Sequence, residues 1–226
     1  MVARGAGVSD GGGEPVVGEA GGGEGLEVAG GVGGESREAP PAERVRLFVA
    51  LELPAEVRQE LVRWRERLPS AAAPVRLRWV TPASLHVTLC FLGWRPAEQI
   101  PSIAEACAVT AACAPAELKL AEPVWLPPRR PRVLAVELRD ETGGLSQVQG
   151  RLSAALEAGG WYEPEKRAFR AHATVARVPK GARVGRVALP APARLSFTGR
   201  RVTLFRSRLS AAGARYEPVA SVALGA

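Results

Sequence analysis

Long apolar runs are missing from this sequence. No stretch of about 18 or more apolar residues occurs in its 226 positions, so no helix is predicted to cross a membrane. The N-terminus also lacks a basic segment followed by an apolar core, and no secretory signal is expected. Cysteine is scarce and odd in number. Cys90, Cys107 and Cys113 show no ligand spacing with the histidines, which predicts reduced, buried thiols in a cytoplasmic protein. No Gly-x-Ser-x-Gly elbow is present, which argues against a serine hydrolase of that design. Lysine occurs only at 119, 166 and 180, so almost all of the positive charge is arginine. That suits bidentate phosphate contacts, although the codon bias of a GC-rich genome would give the same excess. Histidine occurs only twice.

The net charge of +7 is unevenly spread. Residues 1–42 hold seven acids and two arginines, a net of −5, which leaves +12 on the rest. They are built from Gly, Ala and Glu with little large apolar surface, and a disordered tail is expected there. The fold is expected to occupy residues 43–226. Its basic body favours a polyanionic partner, nucleic acid first.

Apolar periodicity predicts twelve elements in that body. A strand over 45–53 precedes a helix over 55–68 that starts after Pro54. A short strand at 77–81 is expected to pair with the next one, over 84–93. A helix over 96–114 follows, then strands at 117–126 and 132–139. The third helix, 144–158, carries Leu145, Val148, Leu152 and Leu156 on one stripe and ends at Gly159-Gly160. Strands at 169–177, 194–197, 201–209 and 216–223 complete the chain. Helices spaced between strands that turn back on each other predict an α+β fold with largely antiparallel pairing.

Both histidines sit in the same local pattern. His86-Val87-Thr88 and His172-Ala173-Thr174 are each a His followed two positions later by Thr, inside a strand-like run. Side chains two apart on a strand share a face, so each imidazole points with its threonine hydroxyl. Neutral imidazole is suited to proton transfer near pH 7. Two of them flanking a phosphorus atom can divide a displacement, one taking the proton of water and the other protonating the leaving oxygen. A threonine hydroxyl can donate to a non-bridging phosphoryl oxygen. No metal ligand set is evident around two such histidines, and no cofactor is expected.

His86-Val87-Thr88-Leu89 and His172-Ala173-Thr174-Val175 resemble the paired H-x-T-x motifs of the two-histidine (2H) phosphoesterases. The similarity is to the RNA 2′,3′-cyclic phosphodiesterase, or 2′-5′ RNA ligase-like, branch. Arg46 to Leu51 with Pro54, Trp79-Val80, Phe91-Leu92-Gly93, and Leu204 to Ser207 with Gly213 and Tyr216 extend the resemblance over about residues 44–224. Ala171 and Val175 depart from the family's usual Pro and Leu at those places.

The resemblance implies a bilobal fold of two mainly antiparallel sheets, with helices outside and a central cleft. It implies hydrolysis of terminal RNA 2′,3′-cyclic phosphate to a 2′-phosphate by a monomer, with reverse 2′-5′ joining, on RNA that includes transfer-RNA fragments. By position, His86 resembles the family's proton donor and His172 its proton acceptor. Thr88 and Thr174 would hold the phosphate, and Phe48 resembles an aromatic near the base. Arg177 resembles a phosphate-contacting arginine. Strict alternation would turn it away from His172, so that role requires a bulge or the strand's end. An RNA strand would run past the histidines onto arginines such as Arg129, Arg130, Arg132, Arg167 and Arg170. Phosphodiester hydrolysis on another cyclic nucleotide, and RNA binding without turnover, are the alternative readings.

Overall fold

A computed structural model describes residues 43–68, 77–182, 184, 188–210 and 213–226. The tail expected over 1–42 lies outside the described residues.

The twelve expected elements are present in the expected order. They are β1 (Arg44–Glu52), α1 (Ala55–Glu66), β2 (Arg78–Trp79), β3 (His86–Pro96), α2 (Ile100–Cys107) and β4 (Ala116–Leu126). β5 (Val133–Arg139), α3 (Gly144–Ala158), β6 (His172–Arg177), β7 (Ser196–Gly199), β8 (Arg201–Ser210) and β9 (Gly213–Ala223) follow. Apolar spacing explains the helices. Val57, Leu61 and Trp64 form the buried stripe of α1, and Leu145, Val148, Leu152 and Leu156 that of α3. Asp140 accepts hydrogen bonds from the backbone N–H groups of Leu145 and Ser146, which fixes where α3 begins. In α1, burial alone would raise the carboxyl pKa of Glu60. The Ala193 N–H, Arg67 and Arg63 outweigh that and hold it below the usual value.

The strands run in the order β7-β4-β5-β6-β3-β1-β8-β9, all antiparallel. The lobes expected as two sheets are the two four-stranded halves of this row. One ladder pair, Val87 with Ala173, joins β3 to β6 and makes the row continuous. The histidine strands are therefore the inner strands of the two halves. One face of the sheet packs on the helices in a shared core that includes Leu47, Leu51, Val87, Leu134, Val136 and Leu152. Cys90 and Cys107 lie in that core, where burial pushes both thiols up to about 12.

One pairing differs from the sequence expectation. β2 pairs with β6, through Arg78–Arg177 and Trp79–Ala176, and not with β3. The chain leaves β2 through a 3₁₀ turn at Pro82–Ser84, so β3 follows β2 along the same edge of β6 instead of folding back on it. A two-residue strand carries too little pattern to reveal its partner.

Candidate active site

The junction pair decides where the four motif residues meet. In an antiparallel register with Val87 opposite Ala173, His86 lies across from Thr174 and Thr88 across from His172. Val87 and Ala173 point into the core, both fully buried, so the two histidines and two threonines share the opposite, partly exposed face. Each imidazole thus stands across from the other motif's hydroxyl.

The rings are held alike. His86 Nδ1 donates to the Ser84 carbonyl at 2.7 Å, and His172 Nδ1 donates to the Arg170 carbonyl at 2.7 Å. A carbonyl can only accept, so Nδ1 carries hydrogen in both rings and Nε2 is the atom left for chemistry. His86 Nε2 lies 3.1 Å from Thr88 Oγ1, which donates to it while the imidazole is neutral. Burial pushes the His86 pKa down to about 4. The bond to Ser84 acts in the other direction, and repulsion from Arg177 and His172 adds to the depression. His86 is therefore neutral at pH 7 in the free protein.

Arg177 reaches this face through a bulge. On β5, Val133, Ala135 and Glu137 alternate with the core residues Leu134 and Val136, and they pair with Arg177, Thr174 and His172. Val175 is the extra residue between them, and its carbonyl accepts from the Val80 N–H beside β2. The bulge turns Arg177 back onto the side of His172 and Thr174. Arg177 is exposed there and close enough to His86 to influence its charge.

Phe48 also lies beside the histidines, but packed against them. Its ring sits 4.9 Å from His86, 5.3 Å from Phe205 and 4.9 Å from Tyr216, and only 4% of the residue is exposed. With three rings against it, Phe48 forms a wall of the site more than an open platform. Tyr216 stands edge-on to His86 at 5.2 Å. Glu52 pairs with His86 across β1–β3 and accepts a hydrogen bond from buried Thr203. Sequence reasoning gave Phe205, Tyr216, Glu52 and Thr203 no place in the site. Phe205, Tyr216 and Thr203 lie more than 100 positions from His86, and no local period signals the approach. Glu52 sits at the end of a strand whose pairing the sequence does not show.

Among the described residues, no three His, Cys, Asp or Glu side chains gather as a metal cluster. A cavity of about 490 Å³ opens beside α1, between Arg58, Arg63 and Ala83, but it contains neither histidine.

The chain is 30% identical to the RNA 2′,3′-cyclic phosphodiesterase of Escherichia coli K12 over 196 residues, 81% of this chain and 98% of the relative. It belongs to the LigT-like phosphoesterases. The family profile described as LigT like Phosphoesterase matches residues 51–135, which include the first histidine motif. The crystal structure of E. coli LigT in its apo form aligns with a TM-score of 0.66 at 30% identity, covering 81% of this chain and 99% of that one. Its complex with 3′-AMP aligns at 0.67 and 30% identity, over 80% and 99%. A protein of Thermus thermophilus aligns at 0.67 and 29% identity, over 80% and 98%. The LigT-like fold therefore extends across both histidine strands, beyond the profile match.

Proposed function

We propose that this protein hydrolyses the 2′,3′-cyclic phosphate at an RNA 3′ end, leaving a 2′-phosphate, with His86 and His172 as its acid–base pair. The observation that carries this reading is the antiparallel junction, which sets two Nδ1-anchored imidazoles beside two hydroxyls on one open face. Water attacks phosphorus while His172 Nε2 takes its proton. The P–O3′ bond breaks, and His86 Nε2 supplies a proton to O3′. One water is consumed, and the bond to O2′ remains. Thr88, Thr174 and Arg177 hold the non-bridging oxygens, whose charge grows in the transition state. A ribose 5′-hydroxyl in place of water would give a 2′-5′ linkage by the same steps. The name of the E. coli relative supports this substrate, and the LigT complex with 3′-AMP supports recognition of a nucleotide.

His86 must gain a proton to serve as the acid, although burial leaves it neutral in the free protein. A bound phosphodiester anion beside His86 and the Arg177 guanidinium supplies the missing attraction and raises the imidazole pKa.

The test is product analysis on a 2′,3′-cyclic mononucleotide in EDTA. The 2′-phosphate should accumulate. His86→Ala and His172→Ala should each lower kcat by about two to four orders of magnitude, the usual effect of a positioned acid or base. A 3′-phosphate product, or full activity without both histidines, would overturn the reading.

A further inference from the structure

Beyond Thr88, β3 does not return to plain alternation. On β1, Val45, Leu47, Val49 and Leu51 are buried in the core, and Arg46, Phe48 and Ala50 alternate with them on the site face. The register pairs Ala50 with Thr88, Phe48 with Phe91 and Arg46 with Trp94. Two irregularities make this possible, with Leu89 and Leu92 as the extra residues. Gly93 follows the second at φ +71°, a conformation that side chains rarely adopt. Leu89, Cys90 and Leu92 thereby stay buried, while Phe91 and Trp94 are turned out beside His86 and Thr88.

The result is a row of open rings. Phe91 is 47% exposed and Trp94 54% exposed, although large aromatics usually bury most of their surface. The Arg46 guanidinium lies 4.7 Å from the centre of the Phe91 ring, and Arg44 Nη2 donates to the Trp94 carbonyl at 3.0 Å. Two residues of β1 separate each step, so Phe91 and Trp94 lie about 7 and 14 Å beyond Thr88. Stacking rings interleaved with guanidinium groups, on a body of net charge +12, match a single-stranded nucleic acid.

We infer that Phe91, Arg46 and Trp94 form the subsite for the nucleotides just 5′ of the cyclic end of a single-stranded RNA. This assignment rests on the RNA reading above and gives the strand a direction. It leaves the histidines along β3 toward Trp94 and away from Arg177, Arg129 and Arg130. The bases stack on Phe91 and Trp94, and Arg46 lies over the backbone between them.

The test separates this subsite from turnover. A fluorescein-labelled RNA pentanucleotide ending in 2′-phosphate, the product, is titrated by anisotropy into the full chain. Trp94→Ala and Phe91→Ala should each weaken binding by about five-fold or more, the lower range for loss of one stacked base. Trp94→Tyr should restore most of it. Trp79→Ala removes an exposed ring that pairs with Ala176 on the core-facing side, and should leave binding unchanged. In turnover, Trp94→Ala should raise KM for a pentanucleotide 2′,3′-cyclic phosphate and spare the cyclic mononucleotide. Unaltered pentanucleotide binding in the Phe91 and Trp94 variants would overturn the assignment. So would weakening by Arg129→Glu and Arg130→Glu alone. If the unaltered protein hydrolysed no cyclic phosphate, the hydrolysis reading would fall, and the anisotropy series would still decide the subsite.

Discussion

At the scale of single residues, His86 is where the fold and the chemistry pull against each other. Its partners in the sheet place it against Phe48 and Tyr216, and the loss of water there favours the neutral ring. The unfolded chain takes up a proton near pH 6.5, whereas folded His86 waits until about pH 4. Below pH 6.5 the unfolded state therefore binds more protons, and stability falls as pH drops through that window. His86→Gln should flatten the fall in melting temperature between pH 6.5 and 4. An unchanged slope would show that other groups cause it. The same residue should mark the rate profiles. One limb of kcat/KM, which reports the free protein, should lie near pH 4 and move upward in kcat, which reports the complex. Coincident limbs would mean that bound substrate does not recharge the ring.

At the scale of elements, the strands and helices were legible because their apolar periods are strong, and the shared face of His86 and Thr88 followed from period two. What the sequence hid was irregularity. The bulge at Val175 is stabilised by β2, a partner two residues long and nearly 100 positions away. The re-aiming of Phe91 and Trp94 depends on two extra residues and a positive φ at Gly93. Alternation counted from His86 loses its phase at each of these points, so Arg177 and Trp94 could not be assigned a face by pattern alone. The wall made by Phe205 and Tyr216 was hidden for another reason, since it requires β8 to pair back onto β1 and β9 onto β8. Helix starts are local and can be tested locally. Asp140 receives two backbone N–H groups of α3, and Asp140→Ala should cost about 1 kcal/mol. In a domain of this size that is a fall of roughly 2–4 °C in melting temperature. kcat should remain unchanged. A variant as stable as the parent would show that the cap contributes nothing.

At the scale of the whole molecule, charge and sheet topology act together. An RNA strand on the basic body should displace counterions, with log affinity falling by about 0.7 per neutralised phosphate for each unit of log salt. Two or three such phosphates would weaken a pentanucleotide about seven- to twenty-fold between roughly 50 and 200 mM salt. A cyclic mononucleotide held among His86, His172, Thr88 and Thr174 should change far less. Equal slopes for both would remove the basic surface from substrate binding. The two motifs reach that substrate from halves of the sheet that share one ladder pair, while α3 packs against both β3 and β4. The reaction thus works like a caliper whose pivot is the single ladder pair of Val87 and Ala173. Both are hidden from solvent and neither can touch RNA. The gap between the two proton carriers is set from behind, by a backbone pairing that no substrate ever meets.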